Sequence, residues 1–131
     1  MEESVFSKII RGDIPCYKVY EDDKTIAFLD TNPLSDGHVL VVPKKQVDKF
    51  YDLADEDYKA VFATTKKVAK RIEEVLGVRA GLVVEGLEVP HAHVHVVPLY
   101  DGTVLRLHHG YPVHKDSASM TNIANRLYFK D

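Results

Sequence analysis

An α+β fold is predicted, with a roughly five-stranded antiparallel sheet, two main helices and a candidate C-terminal helix. Three observations carry that reading. One long stretch repeats its apolar residues at helical spacing, several short apolar runs have strand character, and most connections between them are short turns. The chain has 131 residues, enough for one compact domain (1–131) with a real core.

The elements follow in order. Ser4 to Arg11 reads as a short helix, because Val5, Phe6, Ile9 and Ile10 recur at helical spacing and Gly12 follows the end. Tyr17 to Glu21 and Thr25 to Leu29 read as strands joined through Asp22-Asp23. Asn32-Pro33 and Asp36-Gly37 mark a loop, and His38 to Val42 a nearly continuous apolar strand stopped by Pro43. Asp55 to Leu76 is the long helix. Tyr58, Val61, Phe62, Thr65, Val68, Ala69, Ile72, Val75 and Leu76 form its stripe, acidic residues crowd its first turn, and Gly77 sits where a left-handed cap is needed. Lys66, Lys67, Lys70 and Arg71 read as its solvated face. Gly81 to Glu85 and His91 to Val97 complete the sheet. Asp116 to Leu127 is the last candidate helix, with Met120, Ile123, Ala124 and Leu127 inward.

A net charge of −3 offers no electrostatic case for a nucleic-acid or membrane partner. A single cysteine, Cys16, excludes an intrachain disulfide and fits a reducing compartment. The first residues lack a signal-peptide pattern, and no apolar run approaches the ~20 residues that span a bilayer. The expectation is a cytoplasmic protein.

The chemistry is concentrated in Pro90-His91-Ala92-His93-Val94-His95-Val96-Val97-Pro98. Alternation of imidazoles with apolar residues is the strand period, so three imidazoles are expected on one face. Three readings compete. The rings could simply hydrogen-bond in a half-exposed strand, although burying three without partners is costly. They could hold a metal, but on a straight strand His91 and His95 would lie ~13 Å apart and outside ligands would be required. They could form a catalytic row beside an extended phosphate-containing substrate. In that case His93 attacks phosphorus, its neighbours donate hydrogen bonds, and His38 orients the row.

These residues resemble the histidine-triad (HIT) family, whose signature is His-x-His-x-His followed by apolar residues. The blocks Phe6 to Pro15, Ala27-Phe28-Leu29-Asp30 and Gly37 to Lys44 are similar to the family's preceding blocks in order and spacing, so the resemblance covers roughly residues 4–99. It implies a homodimer with joined sheets and a pocket for a purine nucleoside monophosphate or its conjugates. It also implies hydrolysis or transfer at the α-phosphate, of the phosphoramidase type, through a nucleotidyl-His93 intermediate. Alternatives are a dinucleoside polyphosphate hydrolase and a nucleotide-binding module with little activity. By this resemblance His93 is the nucleophile, His95 a donor to phosphate and leaving group, and His91 and His38 supporting histidines. Asp30 would bind the ribose hydroxyls, and Phe6, Ile9, Ile14, Phe28 and Thr31 would line the base pocket. No cofactor is expected.

Departures from the family pattern are informative. Ser4 and Ser7 stand where many bacterial relatives carry a zinc-binding Cys-x-x-Cys, and Gln46 stands in place of a histidine, so no structural zinc is expected. Leu87 replaces a glutamine that often contacts phosphate, and Glu88 adds a negative charge beside it. The segment 100–131 diverges. Its His108, His109 and His114 read as surface residues.

Overall fold

The computed structural model describes residues 2–107 and 116–131, so His108, His109 and His114 lie outside the described residues. Helix α1 (Val5–Arg11) leads into strands β1 (Lys18–Glu21), β2 (Thr25–Leu29) and β3 (Val39–Pro43). Helix α2 (Asp55–Leu76), β4 (Ala80–Val83), β5 (Val94–Pro98) and α3 (Ser117–Leu127) follow. The five strands form one sheet in the order β1-β2-β3-β5-β4, with every neighbouring pair antiparallel. This is the α+β architecture that the strand and helix periods predict.

Both faces of the central strands are buried, and alternation sorts their side chains between two apolar clusters. Ala27, Leu29, Val39, Val41, Val94 and Val96 point to one side, where α2 and α3 cover them with Val61, Val68, Ile72, Met120, Ala124 and Leu127. Ile26, Phe28, Leu40 and Val42 point to the other side, where α1 contributes Phe6. Cross-strand pairing aligns Phe28 with Leu40 and Leu40 with His95, so one imidazole of the triad extends the α1-side row.

The helix ends obey local rules. Ser4 caps α1 by accepting the Ser7 N–H, and Asp116 caps α3 by accepting the Ser119 N–H. Gly77 closes α2 at φ 71°, a left-handed conformation that glycine adopts without a Cβ clash. Gly37 is more constrained. At φ 93° it also lies where a Cβ would come within 2.7 Å of the Leu76 side chain, so the loop before β3 can press against the end of α2.

Two expectations are corrected. The triad is not one strand from His91 to Val97, because β5 begins at Val94 and only His95 lies in it. The partner strand explains why. The β3–β5 ladder runs from Val39↔Val96 to Val41↔Val94 and stops short of Pro43, which has no N–H to donate. The Pro43 carbonyl is taken by the His91 ring at 2.7 Å, and the Ala92 N–H bonds instead to the Val47 carbonyl at 2.7 Å. The chain therefore runs outside the ladder through 91–93. The second correction concerns the basic face of α2. Arg71 donates to the Leu127 and Tyr128 carbonyls, and Lys67 pairs with Asp131, so these two residues tie down the C-terminal segment.

Candidate functional site

Helix α1 has only seven residues and leaves part of its sheet face open. The opening is a cleft of about 310 Å³ whose walls include Phe6, Ile9, Ile14, Phe28, Asp30, Thr31, His93 and His95. All six residues expected to line a nucleotide pocket are therefore brought together with two of the triad histidines. His91 and His38 do not line the cleft. They are buried behind it, at 0% and 1% exposure.

The floor is aromatic. Phe6 meets Phe28 edge-on at 5.6 Å between ring centres and His93 at 5.1 Å, which fixes the His93 ring plane from one side. Cys16, Leu40 and Leu107 also line the cleft, although the sequence reading did not single them out. Leu40 had a signal, since it lies two residues from His38 on an alternating strand. Burial pushes the Cys16 thiol above its usual range, consistent with a small apolar wall residue. Gly86, Leu87 and Glu88 form the rim, and a second groove of about 370 Å³ lies along the same rim, bordered by Lys49, Phe50 and Tyr51 and also touching His93.

The ring tautomers follow from partners that can act in only one sense. The His93 Nδ1 lies 2.7 Å from the His91 carbonyl, which only accepts, so Nδ1 carries the proton. In the neutral ring Nε2 then holds the lone pair. The Leu34 N–H donates to the His38 Nδ1 at 3.0 Å, which places the His38 proton on Nε2. That proton points to the His95 Nδ1 at 2.9 Å, so neutral His95 carries its own proton on Nε2. The result is one imidazole with an Nε2 lone pair beside another with an Nε2–H, their ring centres 5.0 Å apart.

Electrostatics favours neutral His93. Burial pulls its pKa below the usual 6.5, opposed by the bond to the His91 carbonyl and by the charge of Glu88. His91 is likewise lowered, first by burial and also by its neighbour His93, against the opposing bond to the Pro43 carbonyl.

Asp30, His38 and His95 offer three donor atoms within 4.8 Å of one another, the one such group among the described residues. The Asp30 Oδ2 is 3.5 Å from the His38 Nε2 and 3.7 Å from the His95 Nδ1. An ion there would need the His38 Nε2 lone pair, but Leu34 assigns a proton to that nitrogen. The group therefore suits a shared proton better than a cation. Ser4, Ser7, Gln46 and His91 meet in a second polar cluster, through Ser4 Oγ to His91 Nδ1 at 2.7 Å and Ser7 Oγ to Gln46 Oε1 at 2.9 Å. Hydroxyl and amide oxygens are a poor donor set for zinc, so these positions do not fit the metal that cysteines would hold there. Among the described residues, no helix is long and apolar enough to cross a membrane.

The fold agrees with comparisons to known proteins. A HIT domain model matches residues 11–102. The chain is 39% identical over 103 residues to an uncharacterized HIT-like protein of Methanocaldococcus jannaschii, covering 75% of this chain and 80% of that one. It is 38% identical over 96 residues to the adenosine 5'-monophosphoramidase of Schizosaccharomyces pombe, covering 72% of each. The crystal structure of a HIT-like protein from Bartonella henselae, described as involved in cell-cycle regulation, superposes with a TM-score of 0.84 at 27% identity, covering 95% of this chain and 93% of that one. The chain belongs to the HIT domain family.

Proposed function

We propose that the protein is a nucleotide-binding hydrolase or nucleotidyl transferase. It cleaves a purine nucleotide conjugate at the α-phosphate, with a phosphorus–nitrogen bond as the preferred target. The observation that carries this reading is the pairing of an Nε2 lone pair on His93 with an Nε2–H on His95 at the wall of one cleft. The relative in Schizosaccharomyces pombe, an adenosine 5'-monophosphoramidase, supports the choice of bond.

In this reading the base lies against Phe6, Ile9, Ile14 and Phe28, with Thr31 at the edge, and the Asp30 carboxylate accepts hydrogen bonds from the ribose hydroxyls. The His93 Nε2 attacks the α-phosphorus, forming an N–P bond as the bond to the leaving nitrogen breaks. The departing electron pair stays on that nitrogen, which leaves as a neutral amine. Its proton comes from solvent by way of the His95 Nε2, which gives one proton and takes another. Water then attacks phosphorus and gives up a proton to solvent by way of His95, the N–P bond to His93 breaks, and the pair returns to Nε2. By donating to the His95 Nδ1, His38 directs the exchangeable proton of His95 to Nε2, and His91 supports His93. The working unit is a homodimer joined along β4, an outer strand on which Leu82 is 46% exposed.

The test is turnover of an adenosine phosphoramidate and of a diadenosine polyphosphate by the wild-type protein and His93→Ala. Release of the nucleoside monophosphate and amine by the wild type alone is expected. Preference for the polyphosphate would transfer the reading to a dinucleoside polyphosphate hydrolase. Leu87, apolar and exposed at the rim, favours a second reading, in which nucleotide binds and chemistry is weak. Tight monophosphate binding without turnover of either conjugate would establish that alternative.

A further inference from the structure

We propose that Ser4, which lies outside the cleft, is a positioning residue for the nucleophile. Its hydroxyl, together with the Pro43 carbonyl, holds His91 in one tautomer and, through the His91 carbonyl, keeps the proton of His93 on the nitrogen away from the substrate. The proposal rests on the catalytic reading of His93 and extends that reading to helix α1.

The bonds form a directed chain. The His91 Nε2 lies 2.7 Å from the Pro43 carbonyl, which only accepts, so His91 carries its proton on Nε2. Its Nδ1 is then an acceptor, and the Ser4 Oγ lies 2.7 Å away as the donor, nearer than the Ser7 Oγ, the other acceptor of that proton at 3.3 Å. The same oxygen accepts the Ser7 N–H at 3.0 Å, so one hydroxyl caps α1 and clamps the ring. Ser7 donates its own hydroxyl to the Gln46 Oε1 at 2.9 Å, and Gln46 Oε1 also accepts the Ser4 N–H at 2.9 Å. The Gln46 Nε2 donates to the Pro90 carbonyl at 3.3 Å, which fastens the start of α1 to the residue preceding His91.

His91 is thus anchored at both ring nitrogens and at its backbone N–H, which donates to the Val89 carbonyl at 2.8 Å. Its carbonyl is the acceptor for the His93 Nδ1–H at 2.7 Å. Ser4 is 4% exposed and His91 0%, so water does not compete for these bonds. With the proton on the wrong nitrogen, the His91 Nε2 lone pair would face the Pro43 oxygen, and the ring would have to leave its place. The carbonyl would move with it. Without that acceptor, the His93 proton can settle on Nε2 and occupy the attacking lone pair.

Ser4→Asp separates the two tasks. A carboxylate still accepts the Ser7 N–H but has no proton to give His91, whereas Ser4→Thr keeps both functions. Imidazole ¹⁵N shifts of His91 and His93 are read in the dimer without substrate, followed by kcat and KM on an adenosine phosphoramidate. In the wild type, His91 is expected to be protonated on Nε2 alone and His93 on Nδ1 alone. In Ser4→Asp, His91 should carry protons on both nitrogens near neutral pH; in Ser4→Ala, which leaves the His91 Nδ1 without this donor, kcat should fall at least about tenfold with KM little changed, while Ser4→Thr stays near wild type. A wild-type His91 protonated on Nδ1 would overturn the proposal, as would wild-type shifts in Ser4→Asp or wild-type kcat in Ser4→Ala. If Ser4→Asp fails to fold, the wild-type shifts and the comparison of Ser4→Thr with Ser4→Ala decide. Because the shifts require no turnover, failure of the catalytic reading would leave the tautomers measurable. Failure of this proposal would leave activity dependent on His93.

Discussion

The two faces of the sheet meet helices of very different reach. On one side α2 has 22 residues and is joined by α3, and on the other α1 has seven. At ~1.5 Å per residue, α2 is ~33 Å long and α1 only ~10 Å, whereas five strands at ~4.8 Å spacing are ~19 Å across. The long helix can cover its face and the short one cannot. The same strands therefore present a closed apolar core on one side and a cleft lined partly by imidazoles on the other. Stability and chemistry are separated by strand alternation, with odd-numbered residues of β2 and β3 serving the core and even-numbered ones facing α1.

That separation can be broken experimentally. The largest expected effect is on the α1 side: His93→Ala should lower kcat/KM by about 10³-fold or more while leaving the melting temperature nearly unchanged. On the α2 side, Ile72 is fully buried, and Ile72→Ala should destabilise the fold by about 2–5 kcal/mol in denaturant titrations while the folded fraction keeps its KM. A catalytic defect in the folded Ile72→Ala protein would show that the faces are coupled. Asp30→Asn should raise KM about tenfold, equivalent to about 1.4 kcal/mol, with a smaller change in kcat.

The pH dependence is the smallest and most specific effect. His93 and His91 bind protons less readily in the folded chain than at the usual 6.5, chiefly through burial. Below 6.5 the unfolded chain therefore carries more protons than the native one. The contribution of these rings is fully present above 6.5 and is lost as pH falls toward their folded values. The acidic limb of kcat/KM should likewise lie below 6.5. Glu88 raises the His93 pKa, so Glu88→Gln should move that limb further toward acid. Movement toward neutral pH would contradict the assignment of His93 as the titrating group.

Local signals in the chain were sufficient for much of this architecture. The stripe from Tyr58 to Leu76 and the glycine at 77 predict the observed span of α2, because period and cap are both local, although Tyr58 at its start is exposed. Asp30, His38 and the triad stand out by residue type and by block spacing. Their meeting depends on register, which pairs β2 with β3 and β3 with β5. The departure of 91–93 from the ladder is hidden because its cause is remote: the Pro43 carbonyl lies 48 residues from the ring it binds. Ser4, Ser7 and Gln46 were noticeable only as departures from a metal-binding pattern. Their hydrogen bonds to one another and to His91 cross as many as 87 positions, beyond any local pattern. Arg71 was misread for the same reason, since its partners belong to the end of α3.

The central claim is tested most directly by rapid mixing with an adenosine phosphoramidate, an alkaline quench that preserves phosphohistidine, and peptide mass spectrometry. The account predicts one adenylyl group on the peptide containing His93, located on that residue and absent from His93→Ala. Turnover without any adduct at His93, or an adduct that persists in His93→Ala, would contradict it.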